Sequence, residues 1–167
     1  VLLILACGIA TQLSYAQATP KWADKAKKAV FSIVTYDKDN KIKNTGNGFY
    51  INENGTALSD YTLFEGAERA VIINADSKEL PVLRILGANS MYDIVKFNTE
   101  ADKKTIALKS ASQPASVGET VYLLPYSTQK AATCQTRTVT KVDTIGDKAY
   151  YYTLAMTTNE KTVSCPI

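Results

Sequence analysis

The spacing of apolar residues changes several times along the chain. Residues 1–17, VLLILACGIATQLSYAQ, hold an apolar run of about a dozen positions, short of the ~20 that cross a bilayer as a helix. In KWADKAKKA, residues 21–29, Trp22, Ala26 and Ala29 fall near one face and the lysines on the other, which predicts a short leading helix. From Val30 the period shortens to that of strands. AVFSIVTYD (29–37), NGFYIN (47–52), AVIINA (70–75), LPVLRILG (80–87) and DIVKFN (93–98) are separated by turn signals at Asp39-Asn40, Asn54-Gly55 and Asp76-Ser77.

A polar bridge at 99–104 precedes a second strand-rich series: TIALK (105–109), TVYLLPY (120–126), TCQTRTVTKVD (133–143) and AYYYTLAM (149–156). Closely spaced strands with few helices imply antiparallel sheets closed as sandwiches or barrels, and argue against βαβ units. The expected organisation is a partial signal peptide over 1–16, a leader helix over 17–29, a first β-barrel over 30–100 and a second over 101–167. The last residues, VSCPI, read as the start of a further strand, so the second barrel is expected to be incomplete at Ile167.

Composition narrows the function. The chain has 167 residues, 46% of them hydrophobic and 21% charged, enough apolar material for a packed core. Its formal charge of +3 comes from 19 basic and 16 acidic side chains, too balanced for a nucleic-acid-binding face. It contains no histidine, which disfavours the hydrolases that use imidazole as base or zinc ligand. Ser14-Tyr15-Ala16 before Gln17 is a small-x-small cleavage pattern, so a secreted or periplasmic location is expected. Cys7, after Ile4-Leu5-Ala6, offers a lipidation site, and membrane contact is expected only if that modification occurs. Cleavage leaves Cys134 and Cys165, which an oxidising compartment permits to pair. Their spacing does not decide whether they do, and two unpaired thiols are preferred.

Other clusters have structural readings. Alternation sends Tyr150 and Tyr152 to one face of a strand and Tyr151 to the other, so with Tyr122 and Tyr126 they pack a barrel and do not form one stacking platform. Lysines 21, 25, 27 and 28 make a solvated helix face interrupted by Asp24. Gly46, Gly48, Gly55 and Gly66 mark bends, with no phosphate-binding pattern. Asp37, Asp39 and Glu53 lie in turns and lack a calcium-loop pattern, so no metal and no cofactor are expected.

Three segments in order resemble the trypsin-like serine proteases, especially their bacterial Deg-type branch. GNGFYINENGTALSDYTLFEGA (46–67) is similar to the segment around the catalytic histidine, ILGANSMYDIVKF (85–97) to the segment carrying the triad aspartate, and KTVSCPI (161–167) to the nucleophile loop. The resemblance implies two six-stranded antiparallel barrels. It places the histidine on Thr62, the aspartate on Asp93, the nucleophilic serine on Val163 and the oxyanion-hole glycine on Lys161, with the hole formed by the backbone N–H groups of Lys161 and Val163. A shift of one residue offers Ser164 or Cys165 as nucleophile, with Lys161 as a nearby base.

Only Asp93 keeps its residue type. Loss of a triad member costs on the order of a million-fold in turnover, and valine cannot form an acyl-enzyme. The resemblance therefore implies a catalytically dead homologue that binds a protein or peptide or scaffolds another domain, the alternative being an endopeptidase with a non-standard site. It also implies a PDZ-type or helical-repeat domain beyond Ile167. A buried Asp93 carboxylate would need donors, and the Thr62 hydroxyl with nearby backbone N–H groups are the natural ones. Leu63 and Phe64 are expected to plug the first barrel.

Overall fold

The computed structural model describes residues 20–101, 105–126, 134–145 and 149–155. The fold is all-β, with two single-turn α-helices among the described residues. After α1 (Ala23–Ala26) and a 3-10 turn (Lys27–Ala29) come β1 (Val30–Tyr36), β2 (Ile42–Tyr50) and β3 (Thr56–Ser59). Then follow α2 (Tyr61–Phe64), β4 (Arg69–Ile73), β5 (Glu79–Asn89) and β6 (Ile94–Thr99). Those six strands close an antiparallel barrel in the order β1-β2-β3-β6-β5-β4. A second, three-stranded sheet holds β7 (Thr120–Leu123), β8 (Gln135–Ile145) and β9 (Ala149–Leu154) in that order.

Period-two alternation builds the barrel interior. In β1, Phe31, Ile33 and Thr35 turn inward while Ser32, Val34 and Tyr36 are half-buried. Phe31 meets Tyr50 with ring centroids 4.8 Å apart and Phe97 at 6.2 Å, and Ile33, Ala57, Ile72, Leu80 and Val95 complete the cluster. These edge-on aromatic contacts add to the burial itself. Thr35, fully buried, satisfies its hydroxyl against Asn44 of β2, accepting from its N–H at 3.2 Å, so the inward polar atom has a partner.

Three hairpins use one device. The side-chain oxygens of Asp37, Asn52 and Asn74 each accept N–H bonds from the residues two and four positions on, at 2.8 to 3.0 Å. The residue three positions on has positive φ in every case: Asn40 at 58°, Gly55 at 81° and Ser77 at 60°. Such side chains substitute for backbone acceptors and tolerate a left-handed neighbour. At Gly55 a side chain would also collide with the Thr99 carbonyl, so glycine is required there for two reasons.

Several elements differ from the expected pattern. The α-helical part of the leader is limited to Ala23–Ala26, because four residues form one turn before the 3-10 segment leads into β1. Trp22 is half exposed and stands edge-on to Tyr122 at 5.2 Å. TIALK forms no strand. It runs irregularly across the barrel end, and Leu108 N–H donates to the Tyr50 carbonyl at 2.9 Å. β2 starts at Ile42, ahead of the expected segment, because its polar first half pairs with β1 through Tyr36↔Ile42. The hydroxyl of Tyr152 accepts from Ala115 N–H at 3.2 Å.

Candidate functional site

Two parts of the barrel bring Thr62 and Asp93 together. β3 ends at Ser59, Asp60 stays extended, and the chain turns into α2. Asn44 holds that turn, its side-chain amide donating to the carbonyls of Thr62 at 3.4 Å and Leu63 at 3.2 Å. Phe64 turns back onto Phe97, centroids 5.3 Å apart, and Leu63 packs over Gly46. The two side chains thus plug the barrel, and the turn is anchored from inside.

Asp93 comes from the other direction, in the turn between β5 and β6. Asn89 accepts an N–H bond from Tyr92 at 3.2 Å, and Asp93 adopts φ +51° immediately before β6. β6 pairs with β3 through Ser59↔Val95, which sets the two turns side by side. The Asp93 carbonyl accepts from Tyr61 N–H at 3.2 Å. One carboxylate oxygen accepts from Thr62 N–H at 2.8 Å, and the other from the Thr62 hydroxyl at 3.1 Å.

The pair has the donors expected of it but a different environment. Asp93 is half-buried and Thr62 exposed, so the carboxylate meets solvent and is not enclosed. A threonine hydroxyl is neither a base nor an imidazolium, so this arrangement cannot relay a proton as a histidine would. It ties α2 to the β5–β6 turn.

Lys161, Val163, Ser164 and Cys165, the candidate nucleophile loop, lie outside the described residues, as do Cys7 and the leader before Pro20. Cys134 is half-buried. Burial pushes its thiol pKa up, with the Lys27 ammonium pulling it partly back. Among the described residues no group of three or more histidine, cysteine, aspartate or glutamate side chains converges as a metal site, and no helix is long and apolar enough to cross a membrane.

The fold is similar to that of a solved protease. The crystal structure of the serine endoprotease from Yersinia pestis superposes with a TM-score of 0.58 at 16% sequence identity, over 71% of this chain and 43% of that one. The chain has a trypsin-like fold. The likeness is one of fold, and the chain spans less than half the length of that endoprotease. No protein-family model matches the sequence, and no curated protein matches it.

Within the trypsin-like fold, the sequence carried signals for Thr62 and Asp93 through their motifs. It carried none for the Asn44 clamp, which acts from the neighbouring strand β2, eighteen positions upstream of Thr62. Nor did it mark the Tyr61 N–H bond, a backbone contact that any residue type can make.

Proposed function

We propose that the chain is an exported homologue of the trypsin-like serine proteases that has lost catalysis and serves as a protein- or peptide-binding or scaffolding domain. The observation that carries this reading is the closed pairing of Asp93 with Thr62, whose N–H and hydroxyl occupy both carboxylate oxygens. The motif places Thr62 where the fold's base would sit. The absence of histidine from the chain supports it, as does valine at position 163, where the resemblance places the nucleophile. Export rests on the apolar leader and the Ser14-Tyr15-Ala16 pattern.

Fluorophosphonate labelling with intact-mass detection tests the loss of catalysis. The natural protein should form no adduct, while a Thr62→His/Val163→Ser/Lys161→Gly variant should label. A stoichiometric adduct on the natural protein, mapped to Ser164 or Cys165, would assign a recruited nucleophile and end the reading.

A further inference from the structure

β5 is 11 residues long and serves two neighbours in turn. Glu79, Leu80 and Pro81 pair with Ile73, Ile72 and Val71 of β4, whereas from Val82 to Asn89 the strand pairs with β6. The first residues of β4, Arg69 and Ala70, pair with β1 on one side and, among the described residues, have no strand on the other. The barrel wall therefore splays at this end. Among the described residues, the edge of β5 from Leu83 onward that faces away from β6 has no backbone partner. A Cβ placed on Gly87 would meet nothing within 4 Å.

The seam holds a cavity of about 220 Å3 lined by Phe64, Ala67, Ala70, Val82 and Ile85, room for one large side chain. Leu83, which also lines it, and Ile85 are 60% and 46% exposed. An unpaired, apolar strand edge is a template for strand addition. In that mode the guest backbone supplies hydrogen bonds and its alternate side chains enter pockets on one face.

Charge selects the guest. Arg84 and Lys96 are exposed, and neither makes an ion pair among the described residues. Arg69 and Arg84 both line the cavity against a single carboxylate, Glu68. We propose that the β5 edge from Val82 to Asn89 docks an extended segment of a partner protein in which apolar and acidic residues alternate. One apolar side chain fills the seam, and carboxylates flanking it meet Arg84 and Lys96. A second copy fits less well, because two-fold pairing of β5 with itself brings like charges together. The cavity lining includes neither Thr62 nor Asp93, and docking there does not depend on whether the chain turns over substrate.

The test is fluorescence anisotropy of the whole chain with a labelled peptide of alternating valine and glutamate around a central phenylalanine. A sister peptide carries lysine for glutamate. The acidic peptide should bind at least about tenfold more tightly. Ala67→Phe, which fills the cavity, and Arg84→Glu, at an exposed position, should each weaken it by about tenfold while circular dichroism and thermal melting stay unchanged. N-methylation of alternate peptide nitrogens should abolish binding. Equal affinity for the lysine peptide, indifference to N-methylation, or no binding would overturn the proposal. So would a dimer in sedimentation that Leu83→Asp dissolves, which would assign the edge to a second copy.

Discussion

Replacing Asp93 separates the two tasks it performs. Its backbone sits at φ +51°, where an ordinary L side chain costs on the order of 1 kcal/mol and glycine or asparagine fits best. Its carboxylate accepts the N–H and hydroxyl bonds of Thr62 at 2.8 and 3.1 Å. Because Thr62 is exposed and Asp93 only half-buried, each bond contributes about 0.5–1 kcal/mol, below the range for a buried charged acceptor. Asp93→Ala loses both bonds and keeps the strained backbone, so unfolding free energy should fall by about 1–2 kcal/mol. Asp93→Gly loses the bonds but relieves the strain and should retain about 1 kcal/mol more than alanine. Asp93→Asn keeps an acceptor for Thr62 N–H and tolerates positive φ, so its loss should stay under about 1 kcal/mol. Urea unfolding followed by far-UV circular dichroism gives the three values on one scale. Alanine less damaging than glycine would refute the backbone account, and asparagine as damaging as alanine would refute the hydrogen-bond account.

Two further outcomes follow from packing and burial. In Gly48→Ala the new Cβ lies 2.6 Å from a Phe31 ring carbon and 2.8 Å from the Leu58 carbonyl oxygen. That backbone is held in the β2–β3 ladder, so a loss of about 2–3 kcal/mol is expected. In Gly46→Ala the nearest atoms all belong to the Leu63 side chain, which can rotate away, so the cost should be less; urea melts giving the reverse order would refute the close approach. Burial raises the Cys134 thiol pKa, and the thiolate is the reactive form. In a Cys7→Ser/Cys165→Ser background, alkylation by iodoacetamide at mildly alkaline pH should therefore lag an unstructured cysteine peptide and keep rising at pH values where the peptide has levelled off. A profile coincident with the peptide's would contradict the burial.

Much of the first barrel was legible locally. Five apolar segments between Val30 and Thr99 fall on strands because alternation along a strand needs no knowledge of its partner. The three hairpin signals were legible for the same reason, and each contains the residue that takes positive φ. The acceptor that organises each turn lies just ahead of the signal: Asn52 and Asn74 were not singled out, and Asp37 was placed in a turn and weighed only as a calcium ligand. TIALK has the β-branched and aliphatic composition of a strand, yet it lacks a ladder. Its described backbone bond goes to the Tyr50 carbonyl, so tertiary context overrode propensity.

The sequence by itself determined which residues alternate inward, where the chain reverses, and that no histidine is present to serve Asp93. Those properties are local or compositional. Only the tertiary structure decided that Thr62 takes both oxygens of a half-buried Asp93 carboxylate, that Asn44 clamps α2 from the neighbouring strand β2, and that β5 leaves β4 at Val82 with an edge unpaired among the described residues. Each of these depends on register between strands distant in sequence. A strand's pattern states which face it buries, but its partners, and where it parts from them, follow from closing the barrel as a whole.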